Sequence, residues 1–356
     1  MEKRYFLAAI IAIFCLKVLL HSAAYAENIL IEADKQNYNA ATNIVTFEGN
    51  VKASVNNVTV KSPRASLKSG KDGKPEMAEF LQGAEAVKDD KTSKSKLKAN
   101  IIRYSLLDNH ISAEGNSNSL ILENQKPVIT IKADSQDFDV VNNLITAQGN
   151  VAINYKDIQT ASSQAKININ KAGQPEKVNI SGSAKLVQGK NIITAANFIY
   201  DPVSESLIAS GNTHSETVLD DSSKVLVWSE NQYYDKKSNT LTTSGNVKIN
   251  YKDYIASGPK ASFIPDEKTL KPNKIVFTGR SKIKESLKQL EADKIEIIIN
   301  PKSFNAEGNV KTRFIQIKNS DKVPTKNSGK NQIKSPQKQL IPVKNEETEQ
   351  RFQTVE

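Results

Sequence analysis

The chain has 356 residues and a formal net charge of +10, from 49 Lys and Arg against 39 Asp and Glu. That length allows two ordinary domains or one long single-layer object. Its only cysteine, Cys15, excludes a disulfide framework, and the sequence has neither zinc-finger spacing nor a glycine-rich phosphate loop.

The first 28 residues read MEKRYFLAAIIAIFCLKVLLHSAAYAEN. A basic start, an apolar run from Phe6 to Leu16 and the small-x-small site Ala24-Tyr25-Ala26 predict a secretory signal peptide over 1–26. The alternative is an uncleaved anchor, since Phe6 to Ala26 is long enough to span a bilayer, although Lys17 and His21 interrupt it. Export removes most of the case for nucleic acid that the basic charge would otherwise make.

From residue 27 a repeat begins. A Gly followed by a small or polar residue recurs at Gly49, Gly83, Gly115, Gly149, Gly182, Gly211, Gly245, Gly279 and Gly308, in steps of 34, 32, 34, 33, 29, 34, 34 and 29. Nine units therefore fill positions 27–318. Asp34, Asp134 and Asp293 each stand 15 residues before their Gly, and Asn100 and Glu230 keep that spacing, so the offset is geometric. Around each Gly, apolar or small residues alternate with polar ones, as in Ile145, Ala147, Val151 and Ile153 of GNVAINYKD. Strict period two predicts half-buried β-strands with the Gly in phase with the inward face. Asn- and Ser-rich turns such as Asn142-Asn143 and Ser238-Asn239 separate the strands.

Every third unit carries a longer hairpin, KSGKDGKPEM, NKAGQPEK or PDEKTLKPNK, so the true period is about 97 residues. That is why GNVAINYKD at 149–157 returns as GNVKINYKD at 245–253. The segments are 27–125, 126–222 and 223–318, one continuous β body, followed by a Lys-, Asn- and Pro-rich tail over 319–356 that reads as disordered. Two places break the pattern. Near Gly83, Glu79 and Glu85 fall on the apolar parity. Tyr38, Tyr104, Phe138 and Tyr234 are out of phase with the residues before them, so either a bulge intervenes or the rings face outward.

The combination of IEADKQNYN…NIVTFEGNV with IKADSQDFD…NLITAQGNV resembles the LptA/OstA family of periplasmic lipopolysaccharide transport proteins. The resemblance covers Glu27 to about Lys318. It implies an all-β fold, an elongated, twisted open β-jelly roll of about nine two-strand repeats. It also implies a periplasmic, non-enzymatic carrier without a cofactor, whose apolar trough shields the acyl chains of lipopolysaccharide. Implied partners are the inner-membrane transport complex, the outer-membrane translocon and further copies of the chain joined end to end through edge strands. The groove positions are then Val45, Phe47, Val51, Ile111, Ala113, Ile145, Ala147, Val151, Ile153, Val178, Ile180, Leu207, Leu241, Val247, Ile249, Ile275, Phe277, Phe304 and Val310. Any sandwich core needs the same residues. Ile29–Ala33 would form one edge and Val310–Ile317 the other. The lysines read as a solvated face, with lipid phosphates at the groove rim as the alternative. Asp34, Asp134 and Asp293 sit in separate units, too far apart for a catalytic dyad, and read as acceptors of backbone N–H groups at strand ends. Trp228, His110 and His214 form no recognisable constellation. Two other readings remain: an exported structural or adhesive β-solenoid, and an anchored LptC-like partner of the same pathway.

Overall fold

The structure is a computed structural model that describes residues 29–315, apart from 56, 90–92, 140, 156, 171–174, 220–221, 267, 270–271 and 300. The signal segment, Cys15 and the 319–356 tail lie outside the described residues. Among the described residues there is no helix, and so none long and apolar enough to cross a membrane.

Twenty strands follow in order. They are β1 (Leu30–Glu32), β2 (Lys35–Asn39), β3 (Ile44–Val55), β4 (Val58–Ser69), β5 (Pro75–Asp89), β6 (Ser93–Ser105) and β7 (His110–Glu123). Next come β8 (Lys126–Asp139), β9 (Leu144–Tyr155), β10 (Ile158–Ile169), β11 (Pro175–Gln188), β12 (Asn191–Asp201), β13 (Ser206–Val218) and β14 (Lys224–Asp235). The last are β15 (Thr240–Tyr251), β16 (Tyr254–Pro265), β17 (Pro272–Glu285), β18 (Lys288–Ile298), β19 (Ser303–Glu307) and β20 (Lys311–Phe314). All belong to one antiparallel sheet that does not close. Strands β3 to β18 each pair with their chain neighbours. Both β1 and β2 lie along β3, and both β19 and β20 lie along β18, so each end of the sheet is a strand broken in two. Counting each broken end as one strand gives nine two-strand units, as the repeat predicts. The long hairpins after β4, β10 and β16 each bring an extra register irregularity, at Lys68/Ser69, Asn168/Ile169 and Ile264/Pro265.

A second, deeper break runs across the whole sheet. The register slips between Glu48 and Val51, and again at each neighbouring strand in turn, for example Glu114/Ser117, Ser162/Gln164 and Trp228/Asn231. On β3 the break is made by two successive residues with positive φ, Gly49 at +76° and Asn50 at +47°. Asn tolerates this conformation better than other side chains, and Gly adopts it without penalty. The Gly-Asn pair is thus a corner, repeated at 115–116, 149–150, 211–212, 245–246 and 308–309. Each strand is thereby split into two halves. The halves before the odd-strand corners form one wall, and the halves after them form a second wall. Inward residues on both walls are buried, Phe47, Ala147 and Phe277 on the first and Val51, Val151 and Ile249 on the second.

The corner explains the 15-residue offset. The Asp34 N–H donates to the Gly49 carbonyl at 3.0 Å, and Asn50 Nδ2 donates to Asp34 Oδ2 at 2.9 Å. The same side-chain bond recurs as Asn150 to Asp134, Asn246 to Glu230 and Asn309 to Asp293. A Cβ on Gly149 would lie 2.1 Å from Asp134 Oδ2, and one on Gly211 would lie 2.6 Å from the Ala196 Cβ. Glycine is required because the neighbouring strand's side chain occupies that space. These carboxylates accept from a side-chain amide, a partner different from the backbone N–H expected from sequence.

Both irregular places resolve at this line. On β5 the positive-φ pair is Gln82 (+66°) and Gly83 (+91°), so Gly83 holds the second slot of the corner and Gln82 the first. The corner steps become 49 to 82 and 82 to 115, that is 33 and 33. Phe80, Ala84 and Ala86 then face inward, and Glu79 and Glu85 do not. The even strands also flip phase at the corner, between Lys132 and Ser135 on β8. That puts Phe138 in the core. Tyr104 and Tyr234 are half-buried, and only Tyr38, on the sheet's edge, is exposed. Their hydroxyls reach the positive-φ Asn of the following turn, at 3.1 Å from Tyr38 to Asn43 Oδ1 and 2.7 Å from Tyr234 to Asn239 Oδ1.

Candidate functional site: the interior between the two walls

Eighteen of the 19 groove positions face the interior. Phe47, Val51, Ile111, Ala113, Ile145, Ala147, Val151, Ile153, Ile180, Val247, Ile249, Ile275 and Phe277 are buried. Val45, Val178, Leu207 and Phe304 are half-buried and pack against that core, and Leu241 is half-buried. Val310 departs from the expectation. It is 50% exposed, because it precedes the last strand and no further strand covers it. Alternation sets which way a side chain points, but burial needs a neighbour on the far side.

Charge is kept out of this interior. Among the described residues the buried polar side chains are Ser, Thr and Gln only. Ion pairs run instead across partly exposed positions of neighbouring strands. Arg103 donates to Glu79 and Glu114, and these bonds hold its guanidinium pKa above the usual value, Glu114 contributing most. Lys294 pairs with Glu296 and Glu307 in the same way. On the wall-1 turns, Asp139, Asp201, Asp235 and Asp266 accept bonds from the residues that follow them, and all four sit below the ordinary carboxylate pKa.

The walls are packed on each other. Tyr254 of the second wall meets Phe304 of the first with ring centroids 5.2 Å apart, and Lys302 Nζ stands 4.0 Å above the Tyr254 ring. Behind this contact lies a cavity of about 100 Å³, lined by Ile249, Ala256, Ile275, Ile297 and Phe304 among others. That is well under the ~300 Å³ of a small-molecule pocket. A guest with long apolar chains therefore enters only by replacing wall-to-wall contacts, which in chemical terms are already hydrocarbon.

The interior is also not apolar throughout. One core cluster runs from Phe47 to Ala209 and a second from Val227 to Ile297. Where they meet, on β13 to β15, the inward positions include Thr213, Ser215, Ser229, Gln232 and Thr243, all buried. The apolar lining is interrupted at this polar rung. An inward Gln looks like an outward one until the even-strand corner is placed.

The remaining candidates do not gather into a site. Trp228 stacks on His214 at 5.0 Å with Lys248 Nζ 5.3 Å above its ring, and His110 Nε2 lies 3.2 Å from Asp137 Oδ1 on a different strand pair. No group of three or more His, Cys, Asp and Glu able to hold a metal occurs among the described residues.

Comparison with known proteins gives a family match over part of the chain. Residues 30–124 match the family model described as LptA/(LptD N-terminal domain) LPS transport protein. Among solved structures the chain is similar to LptH from Pseudomonas aeruginosa, described as the LptA homologous periplasmic component of a lipopolysaccharide transport device. The identity is 16%, the match covers 35% of this chain and 83% of that one, and the TM-score is 0.30. No curated protein matches the chain. The segment at 30–124 contains the first three corners, and the later units repeat them. Residues 30–124 thus resemble the family of LptA and LptD N-terminal domain lipopolysaccharide transport proteins, and the later units continue the same corner repeat.

Proposed function

We propose that the chain is a periplasmic carrier of lipopolysaccharide, shielding acyl chains between its two walls and bridging the inner and outer membranes. The observation that carries this reading is the interior itself. Among the described residues it buries no charged side chain and is lined mostly by apolar ones, between two walls that turn into each other at the corner line, in a sheet that does not close. A lipid with several acyl chains loses about 0.8 kcal/mol for each CH₂ held in water. Replacing wall-to-wall contacts with wall-to-chain contacts avoids that loss and needs no shaped pocket.

The ends of the sheet support the bridging half of the proposal. Ile29 and Leu30 at one edge and Val310, Phe314 and Ile315 at the other are exposed large hydrophobics beside unpaired strand edges. Such edges extend readily by strand addition, to another copy or to a partner of the same fold. No role in this scheme asks for catalysis or a cofactor.

The test is photo-crosslinking in living cells from Val151 and Ile249, which point inward, against Asn150 and Asn246, which are exposed. Lipopolysaccharide adducts from the first pair and none from the second are expected. Adducts of equal yield from both pairs, or none from Val151 and Ile249, would sink the carrier reading.

A further inference from the structure

Two glutamines interrupt the hydrocarbon lining, and they are 96 residues apart, one super-repeat. Gln136 on β8 and Gln232 on β14 lie on the first wall, just after the even-strand corner, and are 0% and 3% exposed. Each accepts, through Oε1, a hydrogen bond from a serine hydroxyl on the second wall, Ser119 at 2.7 Å for Gln136 and Ser215 for Gln232. Both bonds therefore tie one wall to the other across the interior.

The copies differ in one respect. Gln136 Nε2 also donates to the Ile131 carbonyl at 3.2 Å, whereas Gln232 Nε2 has no acceptor among the described residues. A buried amide N–H without a partner is unfavourable and is retained where something else satisfies it. Gln232 also sits at the junction between the two core clusters, where Thr213, Ser215, Ser229 and Thr243 replace apolar side chains. Apolar contact between the walls is thinnest there, so parting them loses least at that rung.

We propose that Gln232, with Ser215, forms a polar subsite inside the trough that binds an oxygen on an acyl chain, the hydroxyl, ester or amide oxygen near the chain's polar end. Gln232 Nε2 donates to that oxygen, and a chain hydroxyl can donate in turn to Gln232 Oε1 when the Ser215 bond opens. Gln136 is the closed counterpart, satisfied by its own chain. The subsite gives the interior a fixed depth for the guest, since an oxygen placed anywhere else on the apolar wall loses its hydrogen bonds. This inference rests on the trough reading above.

The test compares two probes on the full exported chain, 3-hydroxytetradecanoic acid and tetradecanoic acid, which differ by one hydroxyl. Wild type should bind the hydroxylated acid about fivefold more tightly, the ratio one ordinary net hydrogen bond supplies. Gln232→Met, of similar shape, should bind both acids alike, and Gln136→Met should keep the preference. Ser215→Ala, which frees Gln232 Oε1 for the chain hydroxyl, should raise the preference; it serves if Gln232→Met does not fold, and a preference unchanged or lost in it counts against the subsite. Equal binding of the two acids by wild type, or a preference that survives Gln232→Met, overturns the subsite while leaving the trough. Binding of neither acid by wild type overturns the trough reading and the subsite with it.

Discussion

Replacing Gly149 by alanine separates two costs that the corner combines. The first is conformational. Gly149 has φ +72°, and an L-residue held there loses about 1–2 kcal/mol relative to glycine. The second is steric. The new Cβ would meet Asp134 Oδ2 at 2.1 Å and Asp134 Cβ at 2.9 Å. Rotating the Asp134 side chain relieves the first contact but not the second, and it breaks the bonds from Asn150 Nδ2 at 3.0 and 3.1 Å. Gly73 supplies the control, with φ +78° and nothing within 4 Å of its absent Cβ. Gly73→Ala should therefore cost about 1–2 kcal/mol from conformation alone. Gly149→Ala should cost at least about 1 kcal/mol more, the worth of the lost hydrogen bonding before any backbone shift. Because a long array of units need not unfold as one, the assay is hydrogen exchange on peptides covering 130–155 and 68–77, alongside urea denaturation. Adding Asp134→Gly should reduce the extra cost of Gly149→Ala, a positive coupling in a double-mutant cycle. If the two single variants agree within about 0.5 kcal/mol, glycine is at the corner for its φ alone and the packing argument is wrong.

Three other outcomes are expected. Phe277→Ala, which truncates a fully buried side chain, should destabilise the C-terminal cluster by about 3–5 kcal/mol, read as lost exchange protection over β16 to β18 with β3 to β5 unchanged. Tyr234→Phe should cost about 0.5–1.5 kcal/mol through the bond to Asn239, and Tyr38→Phe less, because Tyr38 is exposed; urea midpoints decide this. The turn carboxylates Asp139, Asp201, Asp235 and Asp266 have folded pKa values below their unfolded ones, so their contribution is complete above about pH 4 and is lost as pH falls through the folded values. The melting temperature should stay flat from pH 7 to 5 on their account and drop below about 4, and changing all four to Asn should flatten the drop.

Much of this architecture is legible in the chain because alternation and glycine report different things. Ile145, Ala147, Val151 and Ile153 share one parity, which fixes an inward face without any knowledge of the partner strand. Gly149 marks where the strand turns, and Asp134 marks what lies against it. The illegible parts follow from symmetry in the same signals. The corner on β5 uses two positive-φ residues, and glycine suits either slot, so Gly83 reads as the first when it is the second. Strand β8 turns at Ala133-Asp134-Ser135 without any glycine, so the phase change that buries Gln136 and Phe138 leaves no letter behind. Val310 shows the converse, with inward parity just before an edge strand that nothing covers among the described residues.

The corner line also accounts for why the units are serial. From β3 to β18 every ladder joins strands adjacent in sequence, so each unit is held by the one before and the one after, and no ladder among the described residues recloses the first onto the last. Adding a unit lengthens both walls together and keeps the interior in register, because a glycine corner travels with each unit. The same economy leaves two broken strands at the ends, where β1 with β2 and β19 with β20 each repeat the corner without a further neighbour. An incoming strand with its own corner would match both halves at once and inherit the interior on each side. A flat edge offers one row of hydrogen bonds, whereas this one also requires the partner to turn at the same point, so it selects for units of its own kind.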